Sequence, residues 1–313
     1  MEEIDWGDEP KTSKTIFILL LIVGLAIGIG LDRGISSLIG PTSTGEFSGT
    51  IVIEGSNTLF ELQQTWAYHY MQKNPGIQII VGGAGSSVGY KQLADGVIDI
   101  ADASRLPKSE ELTYAESRGV TFNIHKVVID GIVIIVNLDN DLWNISFEIL
   151  RGIYNGSITN WSQVNASCSR AGNPITAYAR DPSSGTYAYF QEHVMQNDDY
   201  ADTVNKLGGN SAIVSAVAND PNGIGYVGAA YAEATGVRTV RVNSPSTGEP
   251  VQPTLENIQN FTYPISRYLY MVTNGEPSGY IAAYLYWCIS PEGQSIAAEL
   301  GYVPCYTLIG SSS

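Results

Sequence analysis

Positive charge, histidine and cysteine are all scarce in this chain of 313 residues, and each scarcity removes a class of function. Sixteen Lys and Arg stand against 31 Asp and Glu, for a net charge of −15. A surface of that sign repels nucleic acid and anionic lipid. It still admits an anionic ligand, because exposed charges are screened over about 10 Å while helix N-termini and buried donors act at contact. The three cysteines, Cys168, Cys288 and Cys305, contain no Cys-x-x-Cys pair, which argues against a zinc cluster and against a disulfide scaffold. Cys288 and Cys305 lie in one terminal region and could pair in an oxidising compartment; ordinary buried thiols are the favoured reading. The three histidines, His69, His125 and His193, have no metal-ligand spacing, and His69 and His193 fall within helical patterns as structural residues. Ser184 lacks a Gly-x-Ser-x-Gly elbow, and Val88 stands where a dinucleotide fingerprint needs Gly or Ala. The expectation is a binding protein without cofactor or metal, and not an enzyme.

Long uncharged hydrophobic runs are equally rare. The run that stands out is Thr15 to Leu31 (TIFILLLIVGLAIGIGL), which as a helix spans roughly 25 Å, near the lower limit for a bilayer. Lys11 and Lys14 precede it, which predicts a cytoplasmic N-terminus at 1–14 and an exported body. Residues 32–40 offer no Ala-x-Ala-like cleavage site, so 15–31 is read as an uncleaved transmembrane anchor. Residues 32–48, rich in Ser, Thr, Gly and Pro near their end, read as a linker. Asn144, Asn155, Asn160, Asn165 and Asn260 each begin an Asn-x-Ser/Thr triplet, compatible with an exported glycoprotein.

The body repeats one local pattern. Thr50 to Glu54 is a β-branched run, Gly55 to Thr58 a polar turn, and Leu59, Leu62, Trp66 and Tyr70 recur at helical spacing. Strand, loop and helix follow again at Ile77–Val81, Gly82–Ser87 and Val88–Ala94, and again at Val97–Ala101, Asp102–Pro107 and Ser109–Ser117. After a long apolar strand at Val127–Val136 comes a fourth unit: Ile175–Ala179, the loop Arg180–Thr186, and a helix from Tyr187. Such units build a parallel sheet with right-handed crossovers, and ligands then sit beyond the carboxyl ends of the strands. One Gly-Ser loop before a helix is an ordinary turn and cap. Four in one chain, each offering free N–H groups and a hydroxyl, suit an oxyanion, and Arg180 adds a cation.

On these residues the chain resembles the phosphate-binding proteins of phosphate ABC transporters. The segments that carry the resemblance are Gly82–Arg105 (GGAGSSVGYKQLADGVIDIADASR), Phe147–Trp161, Ala179–Phe190 (ARDPSSGTYAYF), Asp220–Gly228, Tyr263–Gly275 and Ser290–Pro304. The resemblance implies an α/β, two-lobed, periplasmic-binding-protein-like (type II) fold joined by a two-strand hinge. Lobe I would hold 49–125 and 273–313, and lobe II 126–272, with crossings near Lys126–Asp130 and Ser266–Met271. It implies capture of inorganic phosphate outside the cytoplasm and delivery to an ABC transporter permease. The ligand residues it implies are Thr58, Leu59, Ser86, Ser104, Arg180, Ser184, Gly185 and Thr186, with Asn57 and Arg105 as neighbours.

Well-known members of the family place an acceptor Asp where this sequence aligns Ser104. A carboxylate there accepts the proton of phosphate and repels sulfate, whereas a Ser hydroxyl donates or accepts. Asp102 would substitute only if its side chain turned inward. Sulfate, molybdate or tungstate therefore stand as alternative ligands, and a non-transport cell-surface structural protein of the same fold as an alternative role.

Overall fold

A computed structural model describes residues 48–305. The expected cytoplasmic segment, the anchor at 15–31, the linker up to residue 47 and the last eight residues lie outside the described residues. No helix among the described residues is long and apolar enough to cross a membrane.

In chain order the elements are β1 (Gly49–Gly55), α1 (Asn57–Lys73), β2 (Ile77–Val81), α2 (Ser86–Ala94), β3 (Ile100–Ala103), α3 (Ser109–Ser117), β4 (Phe122–Asn137), β5 (Asn144–Ile145), α4 (Phe147–Tyr154), α5 (Trp161–Val164) and β6 (Thr176–Arg180). There follow α6 (Gly185–His193), β7 (Asn205–Leu207), α7 (Asn210–Asn219), β8 (Gly223–Gly228), β9 (Val237–Asn243), β10 (Pro250–Val251), α8 (Leu255–Gln259), β11 (Ser266–Asn274), α9 (Gly279–Cys288), α10 (Pro291–Glu299) and β12 (Val303–Pro304).

The chain forms a two-lobed α/β fold. In the first lobe β2, β1 and β3 are parallel, and β11 joins them antiparallel between β3 and β4. In the second, β8, β6 and β7 are parallel, with β4 antiparallel to both β8 and β9. The long strand β4 serves both lobes: Phe122–Gly131 pairs with β11, and Ile132–Val136 with β8. Its run of β-branched residues is buried from Val127 to Val136, as expected of a strand covered on both faces.

Each lobe has its own core. Ile51, Ile53, Leu62, Trp66, Met271, Tyr284 and Leu285 form one, and Ile134, Leu150, Tyr154, Trp161, Phe190 and Tyr226 the other. Trp66 is fully buried and its indole N–H donates to Gly293 O at 2.7 Å, tying α1 to α10. Burial of one such side chain contributes about 1.5–3 kcal/mol. Cys168, Cys288 and Cys305 are free thiols, the first two buried; burial raises the pKa of Cys288 well above the ordinary thiol range.

Candidate functional site

The parallel strands aim their carboxyl ends at one place. Past β1, β2 and β3 come Ser56, Gly82–Gly85 and Ser104 on the first lobe; past β6, β7 and β8 come Asp181–Ser184, Gly208–Gly209 and Ala229 on the second. Helices α1, α2, α6 and α7 all begin here, so four N-termini with their unpaired N–H groups face a common region. Each is at least nine residues long.

The two lobes touch through these loops. Thr58 Oγ1 lies 3.0 Å from Thr186 Oγ1, and the hydroxyl of Ser183 donates to Ala84 O at 2.9 Å. Glycine permits the approach. A Cβ on Gly185 would stand 2.2 Å from Ser86 Oγ, and one on Gly85, whose φ is +116°, would stand 2.5 Å from Ser183 O.

Of the residues the sequence singles out, Thr58, Ser86, Ser104, Arg180, Ser184, Gly185 and Thr186 meet here, and all are buried. Leu59 sits in the first turn of α1, its side chain in the core and its N–H donating to Ser56 O at 3.1 Å. Ser86 Oγ accepts the N–H of Ser104 at 3.0 Å, and the hydroxyls of Ser104 and Ser56 hydrogen-bond each other. Ser184 caps α6, accepting the N–H of Thr186 at 3.1 Å.

Arg180 is 1% exposed. Its guanidinium donates to Asn210 Oδ1 at 2.9 Å and to Asn57 Oδ1 at 3.2 Å, joining the two lobes, while its Nε has no protein partner. Burial lowers its pKa from the usual arginine range, and Tyr226 and Asp181 offset part of that. A buried cation with carbonyl partners alone is poorly compensated, and an anion would complete it.

Arg105, expected as a neighbour, and Asp102, weighed as a substitute acceptor, both have surroundings of their own. Arg105 is held by Glu111 through contacts of 2.6 and 2.7 Å, and by Ser87 Oγ at 3.0 Å. Asp102 shares its strand face with Ile100, which belongs to the core of the first lobe, so its carboxyl turns away from the loops. It is fully buried with both oxygens unpartnered, and burial first, then Glu54, raises its pKa well above the carboxylate range.

Sequence reasoning missed Ser56, Asp130, Asn210 and Arg267. Arg267, on β11, donates through Nε and Nη2 to Asp130 Oδ2 at 3.2 and 2.9 Å, through Nη1 to Ser104 O at 3.0 Å, and through Nη2 to Thr186 Oγ1 at 2.8 Å. Arg267 is the one charge in β11, and Asp130 interrupts the apolar run Val127–Val136, but neither position says what it pairs with. Asn210 follows Gly208-Gly209 at the start of a helix, the same pattern as the other loops. Beside the cluster an open cleft of about 780 Å³ runs between the lobes, with Arg105, Tyr189, Arg267 and Tyr268 among its walls. Among the described residues no group of three or more His, Cys, Asp or Glu is placed to hold a metal ion.

Comparison with known proteins gives a consistent picture. The model of the PBP superfamily domain matches residues 40–292. The phosphate-binding protein PstS of Pseudomonas aeruginosa is 30% identical over 270 residues, covering 82% of this chain and 83% of that protein. PstS of Staphylococcus saprophyticus is 31% identical over 252 residues, covering 80% and 77%. The crystal structure of a putative phosphate ABC transporter substrate-binding protein from Clostridium perfringens, with bound phosphate, superposes with a TM-score of 0.72 at 28% identity. It covers 82% of this chain and all of the other.

Proposed function

Because the chain belongs to the PBP superfamily and, within it, to the family of the phosphate-binding proteins PstS, we infer that it captures inorganic phosphate between its lobes outside the cytoplasm and delivers it to an ABC transporter permease. It is a binding protein and not an enzyme. The observation that carries this reading is the buried guanidinium of Arg180, shared between the lobes amid four helix N-termini. An arginine fork, hydroxyls and N–H dipoles together replace the water shell of an oxyanion at short range.

In this reading Thr58, Leu59, Ser86 and Ser104 line the anion from lobe I, and Arg180, Ser184, Gly185 and Thr186 from lobe II, with Asn57 orienting Arg180. Lobe I is 49–125 with 273–313, and lobe II is 126–272. β4 and β11 form the hinge about which the lobes open and close. Residues 15–31 keep the protein on the membrane, and the body carries glycans. Supporting the last point, Asn144, Asn165 and Asn260 are exposed, and the Oδ1 atoms of Asn165 and Asn260 accept the N–H two residues on.

Calorimetric titration of the ligand-stripped chain with phosphate, sulfate, molybdate and tungstate tests the assignment. Tight phosphate binding is expected, and Arg180→Ala should weaken it by about 2–5 kcal/mol, the cost of truncating one partner of a buried charged contact. Equal affinity of the Ala variant would refute the site. Binding of none of the four anions would refute the function.

A further inference from the structure

Phosphate needs an acceptor for its P–OH hydrogen, and the positions expected to provide one bring no carboxylate to the site. Ser104 offers a neutral hydroxyl, shared with Ser56, that can donate to sulfate as readily as it accepts from phosphate; Asp102 faces the core, and Arg105 is a cation bound to Glu111. Of the carboxylates near these loops, Glu54 accepts the N–H groups of Gly55 and Ala84 and Asp181 accepts the N–H and hydroxyl of Ser183, which leaves Asp130. Asp130 lies on β4 where that strand passes from one sheet to the other, and it is 1% exposed. Its Oδ2 accepts both contacts from Arg267, while its Oδ1 accepts the N–H of Ala229 at 3.1 Å. A carboxylate oxygen has room for a second donor, so Oδ1 retains acceptor capacity.

The geometry aims that capacity at the anion loops. A Cβ on Gly228 would lie 3.2 Å from Asp130 Oδ1 and 3.2 Å from Thr58 Cγ2, so the bare glycine leaves both side chains facing one small space. Arg267 Nη2 bridges Asp130 Oδ2 to Thr186 Oγ1, which in turn meets Thr58 Oγ1. Asp130 thus stands one guanidinium away from the two threonine hydroxyls that join the lobes.

We propose that Asp130 is the proton acceptor of this site, taking the P–OH hydrogen of phosphate on Oδ1 and so excluding fully ionised oxyanions such as sulfate. The proposal rests on the phosphate-capture reading. Near neutral pH phosphate keeps at least one P–OH and sulfate keeps none, so a buried carboxylate oxygen gains a hydrogen bond from the first and meets only like charge from the second. Arg267 fixes the carboxylate and balances its charge, leaving Arg180 as the uncompensated cation that an anion neutralises.

The rival role for Asp130 is neutralisation of Arg267 alone, and Asp130→Asn separates the two. The donors of Arg267 claim the amide oxygen, which puts an NH₂ where Oδ1 stood. A proton acceptor predicts weaker phosphate binding and tighter sulfate binding, with their affinity ratio falling by about a hundredfold or more, as when a site built for a hydroxyl loses its partner. A neutraliser predicts that both anions tighten together at an unchanged ratio, and that result overturns the proposal. A second measurement needs no variant. Monofluorophosphate matches the dianion in charge and shape but has no P–OH, so the unaltered chain should bind it about a hundredfold more weakly than phosphate; equal affinity overturns the proposal even if Asp130→Asn fails to fold. Failure of the unaltered chain to bind phosphate at all would instead sink the underlying function and the proposal with it.

Discussion

Asp102 and Asp130 are equally buried and flank the same strand, yet their surroundings make them opposites. Across the β-ladder β11 sets Met271 opposite Asp102 and Arg267 opposite Asp130. Asp130 therefore has a guanidinium and a backbone N–H, and although burial raises its pKa, Arg267 pulls it back. Asp102 has no hydrogen-bond partner, and burial keeps its carboxyl neutral into a higher pH range. Burial alone does not decide whether a carboxylate serves a site or strains a core; the residue across the ladder does.

The largest effect should come from breaking the paired side of this comparison. Asp130→Leu leaves Arg267 buried and uncompensated, which costs about 3–5 kcal/mol of stability. Asp130→Leu combined with Arg267→Met removes both charges at similar volume and should recover most of that loss. Chemical denaturation of the two variants checks this, and a single variant as stable as the double would mean that the pair is not coupled.

The unpaired side should respond in the other direction. Asp102→Leu extends the apolar face of β3 that begins at Ile100, and it removes a buried group without hydrogen bonds. A gain of about 1–3 kcal/mol is expected, reduced by whatever strain the larger side chain brings. A loss measured by the same denaturation curves would show that the Asp102 carboxyl has a partner of its own. The pH dependence has a defined sign. With its folded pKa raised well above an unfolded value near 3.9, Asp102 contributes stability fully below that unfolded value, and the contribution is lost as pH rises through the folded one. Thermal melts from weakly acidic to alkaline pH should therefore fall more steeply for the parent chain than for Asp102→Asn, and parallel slopes would contradict the assignment.

Local patterns carried most of what could be read from the sequence. The β-branched run at Ile77–Val81 and the helix at Ser109–Ser117 have the bounds expected from periodicity, and the Gly-Ser loops open helices α2 and α6 as their composition implies. Arg180 was legible because it heads such a loop. Arg267 and Asp130 were not, because their meaning lies in a pairing between strands 137 residues apart, and a charge inside an apolar run reads only as an interruption. Asp102 shows a signal that was available but undervalued. Ile100 and Asp102 alternate along β3, and period two places both on the face that packs into the core of the first lobe. Arg105 reads from the sequence as a free cation, and only the structure shows Glu111, six residues on, paired with it.

The smallest effect is expected where the same Asp–Arg chemistry lies at the surface. Arg151 grips Asp198 through Nε and Nη2 at 2.6 and 2.8 Å, the same two donors that Arg267 uses on Asp130 but here spread over both carboxylate oxygens, and Asn155 adds a contact at 2.9 Å. Hydrogen bonding from Arg151, then from Asn155, lowers the Asp198 carboxyl to about 2. A depressed pKa contributes stability above the unfolded value near 3.9, and loses it as pH falls through the folded value. Both side chains remain partly exposed, so water and salt screen the pair. Asp198→Asn should lower the melting temperature slightly at neutral pH, less so at high salt, and the difference from the parent chain should shrink between about pH 4 and pH 2. If this surface variant instead cost as much stability as Asp130→Leu, geometry rather than burial would set the strength of both pairs, and the contrast drawn from Asp130 would lose its physical basis.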